Sequence, residues 1–79
     1  MVIPIDADAF LTRRDNAIAL TAAGFPTAAA TLATLASRGG GPPYRRNGSR
    51  VVYRWGDSLA WAQSRLGPVV TSTSEADAA

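Results

Sequence analysis

The order of apolar and polar positions divides the chain into three helical segments and one hairpin, framed by turn residues. Residues 1–11 mix apolar side chains with Asp6 and Asp8, and Pro4 opposes an early helix, so they are read as an N-terminal arm or short strand. Thr12 followed by Asp15 resembles a capping box with Asp in place of Glu. It predicts a helix that runs through Asn16–Ala23 and stops at Gly24, a good left-handed terminator. Pro26 biases Phe25 away from helical angles, and Thr27 is placed to cap the next helix. This second helix is expected from Ala28 to Arg38, ended by Gly39-Gly40-Gly41-Pro42-Pro43.

Beyond the prolines the period changes. Tyr44-Arg45-Arg46, Asn47-Gly48 and Ser49–Arg54 read as a β-hairpin, because Asn-Gly between such runs is a strong two-residue turn signal. With Asn47-Gly48 as the turn, Arg45 faces Arg50 and Tyr44 faces Val51. Tyr44, Val51 and Tyr53 then share one face, and Arg45, Arg50 and Arg54 the other. Facing like charges are unfavourable unless an anion lies over them. A last helix is expected to be capped by Gly56 or Asp57, with Leu59, Ala62 and Leu66 on one stripe beside Trp61, and to stop at Gly67-Pro68. Residues 67–79 lack periodicity and are expected to form a disordered tail.

The second helix has an unusual outward face. Stepping about 100° per residue from Leu32 puts Ala28, Ala29, Leu35 and Ala36 on the buried side. Thr27, Ala30, Thr31, Thr34, Ser37 and Arg38 fall opposite. A solvated face normally carries Glu, Lys or Gln; this one is small, hydroxylated and charged only at Arg38. Small residues let a helix sit deep in a major groove, where hydroxyls reach phosphates or bases and methyls reach thymine. The same face would also suit packing against another copy of the protein.

Charge narrows the class of partner. All eight basic residues are arginine, and four aspartates oppose them up to Leu66, a balance of +4. Arg38, Arg45, Arg46, Arg50 and Arg54 follow one another with no acid among them, the footprint of a polyanion partner. Cysteine and histidine are absent, which excludes disulfides and a structural zinc site. Asp6 and Asp8 read as solvated, and the triple glycine lacks the Lys-Ser/Thr of a phosphate-binding loop. No catalytic residue, metal or cofactor is therefore assigned. The chain has neither a signal peptide nor a run of about 20 apolar residues, so a cytoplasmic protein with no membrane partner is expected.

Taken together, Leu11-Thr12, Gly24, Gly41-Pro42-Pro43-Tyr44, the hairpin Arg45–Arg54 and Tyr53-Arg54-Trp55-Gly56-Asp57 followed by Trp61 resemble a family. It is that of the small excisionase-like, MerR-type winged helix-turn-helix proteins of bacteria and their mobile elements. The resemblance covers about residues 10–66. It implies a mainly α fold with a small β-hairpin, three short helices plus a wing, over residues 12–66. It also implies that the second helix enters the major groove while the wing reaches the minor groove or backbone. Thr27, Ala30, Thr31, Thr34 and Ser37 would then face the groove, and Arg38, Arg45, Arg46, Arg50 and Arg54 would contact phosphates or serve the wing. Two departures stand out: an extra residue at Phe25-Pro26-Thr27, and a second helix without the usual basic residues. Affinity is thus expected mainly from phosphate contacts, with specificity partly from groove shape. MerR-type activators carry a dimerisation helix and a sensor beyond this domain. Only about a dozen residues come after the third helix here, so ligand-gated activation is not expected. The reading is a non-enzymatic excisionase, or recombination directionality factor, that binds double-stranded DNA, associates head-to-tail along it and serves an integrase. The alternatives are a small transcriptional regulator of mobile-element genes, and a protein-interaction module that binds an integrase or itself.

Overall fold

Helix α1 (Arg13–Ala22) begins as its sequence predicts, with the Thr12 hydroxyl oxygen accepting from the Asp15 N–H at 3.1 Å. It ends in a Schellman turn. The Phe25 N–H donates to the Leu20 carbonyl at 2.8 Å and the Gly24 N–H to Thr21 at 3.2 Å. That geometry needs a left-handed residue, and Gly24 supplies it at φ +99°. The computed structural model, which describes residues 3–72, departs from expectation at the next turn. Thr27 does not cap helix α2 (Ala29–Arg38). Its hydroxyl donates to the Phe25 carbonyl at 2.7 Å, its N–H donates to Thr21 Oγ1 at 3.1 Å, and its carbonyl lies 3.1 Å from the Thr21 hydroxyl. Phe25 thus takes the Thr27 hydroxyl and Thr21 its backbone groups, and the N-cap falls to Ala28, which has no side-chain oxygen to offer.

The hairpin forms from β2 (Arg45–Asn47) and β3 (Arg50–Arg54), but in a different register. Asn47 pairs with Arg50, Arg46 with Val51 and Arg45 with Val52. The turn is therefore Gly48-Ser49, with φ +65° at Gly48 and no positive φ at any described non-glycine residue. A type I′ turn needs positive φ at both central residues; glycine at the first position alone fits type II′. Because side chains alternate with period two, moving the pairing by two residues leaves each on its face. Tyr44 lies against Tyr53 with ring centroids 5.9 Å apart, as the face assignment requires. Arg45, however, faces Val52 rather than Arg50, so the expected like-charge pair does not exist.

A third strand comes from the end of the segment read as an arm or short strand. β1 (Phe10–Thr12) pairs antiparallel with β3, Phe10 opposite Arg54, Leu11 opposite Tyr53 and Thr12 opposite Val52, which gives the order β1-β3-β2. Just upstream, the Ala9 and Ala7 carbonyls accept from the Trp55 and Gly56 N–H groups, each at 2.8 Å. These are the first donors of helix α3 (Trp55–Ser64), which leaves β3 directly with Arg54 as its N-cap. The helix can start ahead of the expected Gly56 or Asp57 because neighbouring backbone satisfies its free donors. A Cβ on Gly56 would lie 3.1 Å from the Ala7 carbonyl oxygen, so the close approach depends on glycine.

The core joins Ala17, Ala19 and Leu20 of α1 to Leu32 of α2 and to Trp55 and Ala62 of α3; Ile3, Leu11, Phe25, Ala29, Leu59 and Trp61 pack around it. Tyr53 is buried from the sheet side. Ala28, expected on the buried side of α2, is exposed, and Leu66 lies beyond the end of α3 and is exposed. Half-buried Trp61 donates its indole N–H to the Gly40 carbonyl at 2.8 Å and so holds the glycine loop against α3. Asn16 and Ser58 are fully buried, yet neither side chain has a hydrogen-bond partner among the described residues. The result is a small α/β domain of three helices and a three-stranded antiparallel sheet, one strand more than expected. No described helix is long and apolar enough to cross a membrane. Residues 67–72 adopt neither helix nor strand; the rest of the expected tail, residues 73–79, and residues 1–2 lie outside the described residues.

Candidate nucleic-acid interface

The outward face of α2 is assembled by the burial of Leu32. Its period leaves Ala30, Thr31, Thr34, Ser37 and Arg38 exposed along one side of the helix. The Thr34 hydroxyl donates back to the Ala30 carbonyl at 3.1 Å, which leaves its lone pairs outward. Thr27 is a correction. Its N–H, carbonyl and hydroxyl all serve the turn, so it braces the approach to α2 rather than joining the outward set.

The hairpin places a second group. Arg45, Arg46 and Arg50 are exposed near its end, and the register puts Arg45 and Arg50 on the sheet face turned away from the core, with Asn47 between them. The two groups are joined by the Gly39–Pro43 loop. A cavity of about 280 Å³ lies at this junction, lined by Leu32, Leu35 and Ala36 from α2 and by Tyr44 and Tyr53 from the hairpin side. Gly41 permits the approach, since a Cβ there would lie 2.8 Å from the Leu35 Cβ.

Arg54 is the second correction. Its Nε donates to Asp8 Oδ1 at 2.9 Å and its NH1 to Asp57 Oδ1 at 2.9 Å, and NH2 also bridges to Asp8. The hydrogen bond to Asp8 above all, with the charges of Asp8 and Asp57, holds its pKa above the ordinary arginine value. Its guanidinium ties the N-terminal segment to the start of α3 and is not presented for phosphate. Arg13 is likewise occupied, its Nε donating to the Tyr53 hydroxyl at 3.1 Å, and Arg65 lies over the Trp61 ring at 4.7 Å.

One cation carries no mark in the linear sequence. Arg14 is exposed on α1 and lines a cleft of about 510 Å³ with Ile18, Thr21, Thr27, Ala28 and Ala29, beside the start of α2. It stands far along the chain from the basic block, so no local pattern singles it out. Five arginines, Arg14, Arg38, Arg45, Arg46 and Arg50, thus have neither a carboxylate nor a side-chain hydrogen-bond or ring partner among the described residues. Such guanidinium groups are free to pair with an external anion, and their planar forks suit phosphate oxygens. Among the described residues, no three His, Cys, Asp or Glu side chains come together as a metal site would need. In comparisons with known proteins, no family model, curated protein or solved structure matches this chain.

Proposed function

We propose that this domain is a small winged helix-turn-helix protein that binds double-stranded DNA, with α2 in the major groove and the β2–β3 hairpin as the wing. The observation that carries the reading is the set of five exposed arginines with no partner among the described residues, together with a helix face of small residues. An ordinary surface pairs or disperses its cations; here Arg54 is neutralised internally while Arg38, Arg45, Arg46 and Arg50 of the same block have no carboxylate among the described residues. Ala30, Thr31, Thr34 and Ser37 allow close approach to base edges but offer no long amide or guanidinium there. Affinity comes chiefly from phosphates, so the role is architectural rather than strongly sequence-reading. With the resemblance to excisionase-like proteins, this favours a recombination directionality factor that binds in adjacent copies and shapes DNA for an integrase. Control of mobile-element genes is compatible with the same interface.

A salt titration tests the reading. If about five arginines neutralise phosphates, log K against log[salt] on a duplex falls with a slope of about −4 to −5. A slope shallower than about −2 overturns it and leaves the protein-interaction reading. Stoichiometry and bend angle on a long duplex test the architectural part. Several adjacent copies on bent DNA are expected; one monomer or closed dimer on straight DNA overturns that part.

A further inference from the structure

The sheet face turned away from the core presents more than cations. Register and alternation place Phe10 and Thr12 of β1, Arg50, Val52 and Arg54 of β3, and Arg45 and Asn47 of β2 on that side. Phe10 is 52 % exposed, although a phenyl ring on a strand is ordinarily covered. It lines a concavity of about 330 Å³ with Val52, Arg45, Arg46 and Asn47. That is at the small end of the roughly 300–1,000 Å³ of ligand clefts. The acids at this end of the sheet, Asp8 and Asp57, are both bound by Arg54, the cross-strand neighbour of Phe10. The open part of the concavity is therefore an aromatic and aliphatic floor with unpartnered guanidinium groups on one side.

We propose that this sheet face binds single-stranded nucleic acid, with an unpaired base stacked on Phe10 and its flanking phosphates held by Arg45 and Arg46, which line the same concavity. A ring exposed on a sheet, with cations lining the same concavity, is the arrangement that recognises splayed bases. Asn47 adds a donor and an acceptor for a base edge. An acidic peptide would satisfy the arginines, but it makes no general use of a flat aromatic floor. Duplex DNA buries its base faces and cannot stack on Phe10. The site shares Arg45 and Arg46 with the duplex reading but rests on Phe10, which that reading does not use.

The test measures binding of oligothymidylate, of the same oligomer with abasic sites, and of a short duplex, by fluorescence anisotropy at fixed salt. Wild type should prefer oligothymidylate to the abasic oligomer by roughly tenfold, the scale of one stacked base. Phe10→Ala should abolish that preference and leave duplex affinity unchanged, while Thr31→Asp should weaken the duplex and spare the preference. Phe10→Trp should retain it. A thermal melt shows that each variant is folded. Equal wild-type affinity for intact and abasic oligomers, or a preference that survives Phe10→Ala, overturns the proposal. So does Phe10-dependent binding of a poly-Glu/Phe peptide in place of the oligonucleotide, or Phe10-dependent self-association in sedimentation. Loss of duplex binding alone would count against the duplex reading and not against this one.

Discussion

Arg45 and Arg54 share one face of the sheet, yet their surroundings give them opposite roles. Arg54 donates to two carboxylates from different parts of the chain, whereas Arg45 has only Val52 across the strand. Arg54→Ala should therefore lower Tm and loosen the N-terminal segment while leaving duplex affinity nearly unchanged. Arg45→Ala should leave Tm unchanged and reduce the salt slope of duplex binding by about 1. Since the pKa of Arg54 is raised, its contribution is complete below the ordinary arginine value and is lost only in strong alkali. Thermal melts across the neutral range should accordingly show no transition from this group. Asn16 is a different case, because both its amide atoms are buried without a partner among the described residues. Asn16→Leu, close in shape, should raise stability by about 1–3 kcal/mol by removing an unpaired polar group. A loss on denaturant titration would instead place an ordered water against the amide.

At the scale of the element, α2 depends on its neighbours more than on its own ends. Ala28 leaves its first turn uncapped, and Leu32 is its one fully buried side chain. Ala28→Asp should stabilise the domain by about 0.5–2 kcal/mol as a new N-cap. The same change should weaken duplex binding, because the carboxylate stands beside Arg14 in the cleft at the helix start. Thr31→Asp, in the middle of the exposed face, should remove duplex binding with little change in Tm. Chemical denaturation and anisotropy on the same two variants separate the effects. If Thr31→Asp binds duplex as wild type does, α2 does not enter the groove.

For the whole molecule, the N-terminal segment decides whether the domain holds together. Ile3 packs on the core, the Ala7 and Ala9 carbonyls accept from the first donors of α3, Asp8 binds Arg54, and Phe10–Thr12 completes the sheet. The remaining core is small, with Leu20, Leu32, Tyr53 and Trp55 as its large buried side chains and alanines elsewhere. Domains of this size have little stability to spare. Deleting residues 1–9 should therefore cost about 2–4 kcal/mol, from lost apolar burial and unmade hydrogen bonds. A truncated protein that melts like the full chain would show that these contacts contribute little.

What the chain determines locally was legible in its sequence. The Thr12 cap, the Gly24 stop, the Leu32-centred period of α2, the hairpin and the two sheet faces arise from spacings of a few residues, and side-chain period and backbone chirality act at that range. So was the exposed basic and hydroxylated surface, because burying one face of an amphipathic element necessarily presents the other. The rest was decided by contacts between segments far apart in the chain. Phe10–Thr12 became a strand because β3 offered an unpaired edge, and α3 began early because Ala7 and Ala9 met its free donors. Thr27 lost its capping role because its hydroxyl donates to the Phe25 carbonyl, and the hairpin turned at Gly48-Ser49 rather than Asn47-Gly48. Arg54 left the cationic surface for Asp8, 46 residues away, and Arg14 of another helix stands exposed at the start of α2. A residue type states which partners it can accept; only the packed chain states which partner arrives first and excludes the others.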